Sequence, residues 1–197
     1  FKQGAGTLAL GGNNVNFSGG TEVQAGTLQL NTATAAGTNS ISLLGNTTLL
    51  NGGGTLTVAN AIITTGSNTI DSAAGSFTLT GVVSGNGGIV KAGTGTLTLS
   101  GVNTYVGGTT INAGTLAVTN NSSISTGGLT INGGTTFQAA ANGLSFANLV
   151  TLNGLGTIDT QGNGLTLTGI ISDGGISGTL VKIGSGNLNL QGANTYS

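Results

Sequence analysis

The sequence predicts an all-β fold: a parallel β-helix, or solenoid, in which short strands stack coil on coil around one core. Short runs of alternating apolar and polar residues, bounded by Gly and Asn, are typical of half-buried strands. Apolar positions in these runs recur about every 20 residues, as from Leu8 to Leu28 and Leu49. A unit of about 20 residues with several strands cannot bury a core alone, so we expect roughly nine such coils to stack in a single domain.

A longer period is superimposed on the coils. Asp71 and Asp159, which both follow Thr-Ile, lie 88 residues apart, and neighbouring segments repeat at nearly the same distance. We therefore divide the chain into super-repeats at approximately 1–88 and 89–179, followed by a truncated third copy at 180–197. Because the third copy stops within the repeat, we expect the chain to be a segment of a longer protein.

The two-residue period of a β-strand assigns its side chains to opposite faces. The residues predicted to point into the core form pairs two positions apart: Leu8 and Leu10, Leu28 and Leu30, Leu97 and Leu99, Leu116 and Val118, Leu165 and Leu167, and Leu188 and Leu190. Val90 and Val181 are predicted to be buried as members of the same apolar series. Threonine dominates the predicted outward positions, where its β-branched side chain suits an exposed strand face.

Glycine and asparagine are expected at the corners of the coils. A coil of about 20 residues must turn every few residues, and these two types tolerate positive φ best. Stacked asparagines can also hydrogen-bond from one coil to the next. The absence of Pro fits interior strands that donate every ladder hydrogen bond. A short expansion at Asp173–Gly178 is predicted to form a loop outside the array.

One stretch carries a characteristic succession of residues. It is IVKAGTGTLTLSGVNTYVGGTTINAGTLAV, residues 89–118, with Lys91, Gly93, Gly95-Thr96-Leu97, Leu99-Ser100-Gly101, Asn103-Thr104-Tyr105, Gly107-Gly108-Thr109 and Gly114-Thr115-Leu116. The stretch resembles the autotransporter-associated β-strand repeat, which occurs in passenger regions of type V secreted bacterial proteins anchored in the outer membrane. Residues 2–30 are a further copy, which departs from the pattern at Asn14–Phe17, and residues 180–197 begin another.

This resemblance implies a right-handed parallel β-helix that is exported from a bacterium. It also implies that the protein is displayed on the cell surface or released, and that a C-terminal membrane barrel lies outside this chain.

The composition argues against several classes of function. Charged residues make up 4% of the chain and the formal net charge is −1, so nucleic acid and anionic membrane surfaces are not expected partners. No apolar run is long enough for a transmembrane helix. The chain has no Cys and no His, which excludes disulfides, thiolate or histidine metal sites and a Ser-His-Asp triad. We expect no catalytic residue, no cofactor and no metal.

The four carboxylates, Glu22, Asp71, Asp159 and Asp173, leave one pair open for acid chemistry. If Asp71 and Asp159 stack four coils apart, they lie about 19 Å from each other, beyond the separation of about 5–9.5 Å in glycosidase pairs. We expect each to accept backbone N–H groups in the turn after Thr-Ile. Asp173 lies in the expanded loop and follows Asp159 by less than one coil, so these two carboxylates could approach each other.

The lysines and tyrosines also recur at the super-repeat spacing. Lys2, Lys91 and Lys182 are predicted to be solvated and to face outward, with a row of positive charge that contacts a partner as the alternative. Tyr105 and Tyr196 occupy matching places, and we expect them to pack at corners rather than to form a sugar-stacking platform. Asn-x-Ser/Thr sequons, which arise by chance in so polar a sequence, begin at Asn16, Asn46, Asn120 and Asn121.

The near-uniform array favours a structural or adhesive function: a β-helical stalk or fibre segment of an exported bacterial surface protein. The alternative is a self-assembling extracellular filament subunit, because exposed end coils carry unpaired backbone groups and the net charge is near zero. Partners would be further copies of the chain, or ligands on host or neighbouring cells.

Two other classes of function stay open. A polysaccharide-acting enzyme would use the region of Asp159 and Asp173. An ice-binding solenoid would use outward threonine pairs, which occur at Thr78 and Thr80, Thr96 and Thr98, and Thr166 and Thr168.

Overall fold

The computed structural model describes residues 1–197, the whole chain, as 23 short strands without a helix. None of its segments forms a helix that could cross a membrane. In chain order the strands are β1 (Thr7–Leu10), β2 (Thr21–Val23), β3 (Thr27–Leu30), β4 (Ile41–Leu44), β5 (Thr48–Asn51), β6 (Thr55–Val58), β7 (Ile62–Thr65), β8 (Ser67–Asp71), β9 (Ser76–Leu79), β10 (Val83–Gly85), β11 (Gly88–Ala92), β12 (Thr96–Leu99), β13 (Thr109–Ile111), β14 (Thr115–Val118), β15 (Leu129–Asn132), β16 (Thr135–Ala139), β17 (Leu144–Phe146), β18 (Val150–Asn153), β19 (Leu155–Asp159), β20 (Leu165–Leu167), β21 (Ile171–Asp173), β22 (Thr179–Ile183) and β23 (Leu188–Leu190).

The strands form four parallel sheets that run along the solenoid. Sheet A has the order β2-β4-β7-β10, sheet B the order β1-β3-β5-β8-β11-β13-β15-β18-β21, sheet C the order β6-β9-β12-β14-β16-β19-β22, and sheet D the order β17-β20-β23. Each strand pairs in parallel with its counterpart in the next coil, as Leu28 pairs with Leu49. The prediction of an all-β parallel solenoid with about nine coils is confirmed.

Most coils pass through three sides. From β4 to β10 the chain visits sheets A, B and C in turn, and from β15 to β23 it visits B, C and D. Sheets A and D therefore occupy the same place in the order, between a strand of sheet C and the next strand of sheet B. Residues 100–108 and 119–128 cross this third side without a strand.

The super-repeats do not stack directly on one another. Strands at equivalent places lie on successive sheets: β2 in A and β13 in B, β8 in B and β19 in C, β12 in C and β23 in D. Because 88 residues exceed four coils by part of a coil, each super-repeat advances four coils and one further sheet. The assumption that Asp71 and Asp159 share one stack, on which the predicted separation of about 19 Å rested, is wrong, since they end strands of sheets B and C.

The core is a set of inward ladders, one residue per coil. In sheet B, Leu28, Leu49 and Ile70 follow one another and have no solvent exposure. In sheet C, the equivalent ladder contains Leu97, Leu116, Phe137 and Ile158, all fully buried. The predicted inward pairs are confirmed in the interior coils. At the ends the same register leaves Leu8 38% exposed and Leu188 and Leu190 half-buried, because no further coil covers them here.

Val90 and Val181 correct the predicted core. Val90 pairs with Thr69 on the outer side of sheet B, and the inward position opposite Ile70 belongs to Lys91. In the same way Val181 pairs with Thr157, and Lys182 takes the inward register. The alternation starts from Ile89, which is buried, so the next residue must face outward and the lysine after it inward.

The outer surface carries polar ladders. Asn132 Nδ2 donates to Asn112 Oδ1 at 2.6 Å, and Asn153 Nδ2 donates to Asn132 Oδ1 at 3.1 Å. These bonds confirm the expected stacking of asparagines from coil to coil. The expansion at Asp173–Gly178 forms the loop between β21 and β22, where Ile176 is 60% exposed.

Candidate functional site at the lysine corners

The central lysine of the repeat is buried at a corner of the solenoid. Lys91 has no solvent exposure, and its side chain enters the core from β11. Its Nζ donates to the carbonyl oxygens of Ala92 at 2.7 Å, Gly93 at 2.7 Å and Ala113 at 3.0 Å. The first carbonyl ends β11, the second lies in the turn that follows, and the third belongs to the next coil. Three acceptors match the three hydrogens of an ammonium group.

The other two lysines build the same corner. Lys2 Nζ donates to the carbonyls of Gln3, Gly4 and Ala25, the last again one coil further on. Lys182 Nζ donates to the carbonyl oxygens of Ile183 and Gly184. Its third partner is the Thr160 hydroxyl in the preceding coil, at 3.1 Å. The corners lie after sheets A, B and C in turn, because each super-repeat advances one sheet.

A glycine two residues after each lysine makes the corner possible. Gly4, Gly93 and Gly184 have φ of 79°, 77° and 80°, a left-handed conformation that glycine adopts at little cost. A Cβ at Gly93 would also lie within 2.5 Å of the backbone N and O of Ala73 in the preceding coil. The repeated Lys-x-Gly therefore serves both the turn and the close approach of two coils.

Lys182 takes the inward register but stays exposed near the end of the stack. For Lys2 and Lys91 the contacts overturn the prediction that the lysines are solvated and face outward, most clearly for Lys91. The aliphatic stem packs in the core, and carbonyl oxygens replace water around the ammonium group. Burial lowers the pKa of Lys91 from 10.5 to about 8, and the negative charge of Asp71 opposes part of that shift. The sequence does contain a signal for this site, because alternation counted from Ile89 assigns Lys91 to the inner face.

Asp71 and Asp159 have the structural role that the sequence predicted. Asp71 Oδ1 accepts the backbone N–H of Ala73 at 2.7 Å, and Asp159 Oδ1 accepts that of Gln161 at 2.8 Å. Both bonds close the turn after Thr-Ile, and Asp159 Oδ2 also accepts Gln138 Nε2 at 2.9 Å. These turns lie directly below the Lys-x-Gly corners of Lys91 and Lys182 in the next coil.

Asp173 is engaged separately from Asp159. Its Oδ1 accepts the N–H of Gly178 at 2.9 Å, and its Oδ2 accepts the Ser197 hydroxyl at 2.9 Å. These bonds, first that of Ser197 and then that of Gly178, lower the pKa of Asp173. Asp159 ends a strand of sheet C and Asp173 a strand of sheet B, so the structure gives each carboxylate its own partners. Glu22 Oε1 accepts Gln24 Nε2.

Tyr105 packs inside a corner, as expected. Its ring has no solvent exposure, and its hydroxyl lies 2.7 Å from Thr109 Oγ1. Burial raises the pKa of Tyr105 well above its usual range. Tyr196 is half-buried against the core in the last coil. Of the sequon asparagines, Asn120 donates to the carbonyls of Ser100 and Gly101, whereas Asn16, Asn46 and Asn121 are exposed.

The threonine pairs do not form one array. Thr78 and Thr98 stack with Thr57 on the outer side of sheet C, but the next coil places Ala117 in that column. Thr166 lies in sheet D, apart from the others. No three His, Cys, Asp or Glu side chains cluster closely enough to hold a metal ion.

The lysine corners coincide with a known family signature. The family model described as passenger-associated-transport-repeat matches residues 1–30, 89–118 and 180–197. Three segments of the chain thus match the passenger-associated transport repeat. Each match includes one Lys-x-Gly corner and the strand that follows it, and together with the β-solenoid fold they fit a passenger region of an exported autotransporter. Searches among curated proteins and solved structures gave no match to the chain.

Proposed function

We propose that this chain is a rigid structural spacer within an autotransporter passenger: a stalk or fibre segment that holds an adhesive region away from the cell, without catalysis. The proposal places the chain on the outside of a bacterium, on the cell surface or released from it. Its partners would be ligands on host or neighbouring cells, reached through the region that the stalk displays.

The continuity of sheet B carries this proposal. Nine strands pair in parallel without a break from β1 to β21, so eight steps of about 4.8 Å give a rod about 38 Å long. An inward ladder accompanies the sheet, and only Lys91 interrupts its apolar residues between Leu28 and Leu152. Each coil contacts mainly its two neighbours, so length can be added in repeats without a change of fold.

The lysine corners support the same role. Lys2 and Lys91 each bond two successive coils through Nζ, four coils apart and on different corners. Because each super-repeat advances by one sheet, these ties are spread around the axis instead of along one edge. Such a distribution resists opening of the stack from any single side.

An insertion of one super-repeat tests the spacer role. A second copy of residues 3–91, placed after Lys91, keeps every corner in register and should lengthen the rod by about four and a third coils, or about 21 Å. X-ray scattering of the purified chain would measure the length. In the full-length displayed protein, adhesion should change in steps as super-repeats are inserted or removed. Equal adhesion at all lengths, with the protein still displayed, would contradict the spacer role.

Self-assembly is a second candidate, favoured by the state of the first coil. Leu8, in register with fully buried Leu28, is 38% exposed. It lines a cavity of about 380 Å³ with Phe1, Leu10 and Phe17. At the other end β21, β22 and β23 are the last strands of their sheets in this chain. For the isolated chain, a second copy seated on either end would cover apolar side chains and pair strand edges.

Electron microscopy over a range of concentrations separates the two candidates. Ordered filaments of uniform width that lengthen with concentration would support end-to-end assembly. The variant Leu8→Lys should abolish such filaments, and Leu149→Lys, at an exposed position of an interior coil, serves as the matched control. Isolated rods of about 40 Å at every concentration would rule out self-assembly and leave the spacer role.

A further inference from the structure

Two grooves on the side of the solenoid are copies of one site. Groove 1 is lined by Ala33, Thr34, Gly37, Thr38, Ala59 and Asn60, and has a volume of about 210 Å³. Groove 2 is lined by Asn121, Ser125, Thr126, Ser145, Ala147 and Asn148, and has a volume of about 270 Å³. All but Ser145 of the second set lie 88 residues after a member of the first.

The same asparagine frames both grooves. Asn60 Nδ2 donates to the carbonyls of Gly37 and Asn39, and Asn148 Nδ2 donates to those of Ser125 and Gly127. Both side chains are more than nine-tenths buried. Their Oδ1 atoms accept no bond from the chain, yet no buried side-chain oxygen lacks a partner, so each Oδ1 keeps access to solvent. In each groove this atom is a free acceptor on a fixed side chain.

Groove 2 carries additional polar groups that groove 1 lacks. Asn121 replaces the equivalent of Ala33, and Ser125 replaces that of Gly37. Asn121 is oriented by its Oδ1, which accepts the N–H of Ser145 at 2.9 Å and leaves Nδ2 free. In groove 1, by contrast, the Thr34 hydroxyl is already bonded to Asn13, at 3.0 Å.

Ser125 adopts a backbone conformation that serine rarely takes. Its φ is 52°, a left-handed conformation that is uncommon for residues other than glycine, Asn and Asp. At the equivalent position Gly37 has φ of 76°. The hydroxyl of Ser125 makes no hydrogen bond within the chain, and the residue lines groove 2.

The floor of groove 2 is fixed before any ligand arrives. Residues 119–128 form a tight loop in which Ser123 Oγ accepts the N–H groups of Thr119 and Asn120. Asn120 Nδ2 bonds back to the preceding coil, and Ile124 anchors the loop in the core without solvent exposure. A preformed site loses little conformational entropy on binding.

We propose that groove 2 binds a neutral carbohydrate, through a single sugar ring. Asn121 Nδ2 is a donor, Asn148 Oδ1 is an acceptor, and the hydroxyls of Ser125, Thr126 and Ser145 are both, which suits a ligand that is itself rich in hydroxyl groups. The volume lies just below the range of about 300–1,000 Å³ for drug-sized ligands.

The charges of the chain exclude other ligands from this groove. No carboxylate lines it, and all three lysine ammonium groups are engaged at the corners. An anion or a metal ion would therefore lose its water without a compensating charge. Ala147 is the only apolar lining residue, which gives a peptide no anchor.

A titration of the ¹⁵N-labelled chain, followed by NMR, tests this proposal. Maltose, lactose and α-1,2-mannobiose would each be raised to about 50 mM, well above a Kd of the order of 1 mM expected for a single-ring site. At least one sugar should shift the Asn121 and Asn148 side-chain amides and the Ser125 backbone amide in a saturable manner. The amide of Asn60, in groove 1, should not move.

Matched variants locate the binding. Thr126→Ala should weaken it by roughly fivefold through the loss of one hydrogen bond, and Thr38→Ala, at the equivalent place in groove 1, should leave it unchanged. The double variant Asn121→Ala with Ser125→Gly gives groove 2 the residues of groove 1 at those places and should abolish binding. Unchanged melting temperatures would show that the variants fold. The absence of saturable shifts with all three sugars, or equal effects of Thr38→Ala and Thr126→Ala, would overturn the proposal.

Discussion

Lys91 Nζ lies 3.0 Å from the carbonyl oxygen of Ala113, so that a buried ammonium group joins two successive coils of the solenoid. Lys182 occupies the equivalent place in the third repeat, but its third partner is the hydroxyl of Thr160 in the coil before it. Lys91 is fully buried, whereas Lys182 is exposed. The same residue type in the same repeat position therefore has two environments, which can be compared within one molecule.

Lys91→Met should destabilise the chain, and Lys182→Met should not. Methionine keeps the length of the stem but leaves the carbonyls of Gly93 and Ala113 without their donor. Unsatisfied buried acceptors cost about 1–3 kcal/mol each, and relief of the ammonium desolvation offsets part of this, so we expect a net loss of about 1–3 kcal/mol at pH 7. For Lys182→Met the expected change is within about 0.5 kcal/mol.

Urea unfolding followed by circular dichroism measures both variants against the parent chain. Equal midpoints for the two variants would contradict the structural role assigned to the Lys91 corner.

The stability of the chain should depend on pH through Lys91. Its pKa is lowered to about 8 in the folded state from 10.5, chiefly by burial. Between these pH values the unfolded chain keeps a proton that the folded chain has released, so stability rises with pH across that window. Below pH 8 both states are protonated, and the contribution is constant.

The difference in unfolding free energy between the parent chain and Lys91→Met isolates this effect. Tyr105 also has a shifted pKa, but its contribution to the pH dependence is the same in both chains and cancels. We expect the difference to grow from pH 8 to 10.5, and an NMR titration of the Lys91 side chain to have its midpoint near the lower value. A midpoint at the ordinary lysine pKa would mean that the hydrogen bonds to the three carbonyls fully compensate for the loss of water.

Gly93→Ala should be far more harmful than Gly134→Ala. Both glycines have nearly the same left-handed φ, 77° and 78°, so alanine meets a similar backbone strain of about 1–2 kcal/mol at each place. A Cβ at Gly134 has no neighbour within 4 Å, whereas one at Gly93 collides with the Asp71 carboxylate and the backbone of Ala73. Overpacking adds about 1–3 kcal/mol for Gly93→Ala. Similar melting temperatures for the two variants would show that the coils can separate at this corner.

The hydroxyl of Tyr105 should contribute only together with that of Thr109. Tyr105→Phe removes one partner of a buried hydrogen bond of 2.7 Å, and the remaining Thr109 hydroxyl then has none. Each of the single variants Tyr105→Phe and Thr109→Val should cost about 1–2 kcal/mol, while the double variant should cost less than their sum. A double-mutant cycle by chemical unfolding measures the coupling, and strictly additive costs would contradict the bond.

The Asp turns and the lysine corners differ in how far the sequence revealed them. The turn at Asp71 follows from local chemistry, since an aspartate after a strand accepts an N–H two residues on, and this was predicted correctly. Lys91 was expected in solvent because an isolated charge is costly to bury. Its burial depends on the Ala113 carbonyl, which is 22 residues away and reaches Nζ only when the next coil is in place.

The grooves, too, combine a feature that is visible in the sequence with one that only the structure reveals. The sequence shows that Asn60 and Asn148 repeat at 88 residues. Their neighbours in the sequence do not indicate that these two side chains border a groove. Each reaches carbonyls 21 and 23 residues earlier in the chain. Contacts between coils therefore decide which of the many asparagines face a groove.

The sequence by itself determined the all-β solenoid, the length of its coils and the alternation of core and surface residues. These follow from local periods of two and about 20 residues, which any stacking of the coils must satisfy. Only the tertiary structure decided which sheet each repeat occupies. A period of 88 residues is not a whole number of coils, so Asp71 falls on sheet B and Asp159 on sheet C. The part of a coil by which 88 residues exceed four coils depends on the turns of four successive coils together. It cannot be derived from any one coil.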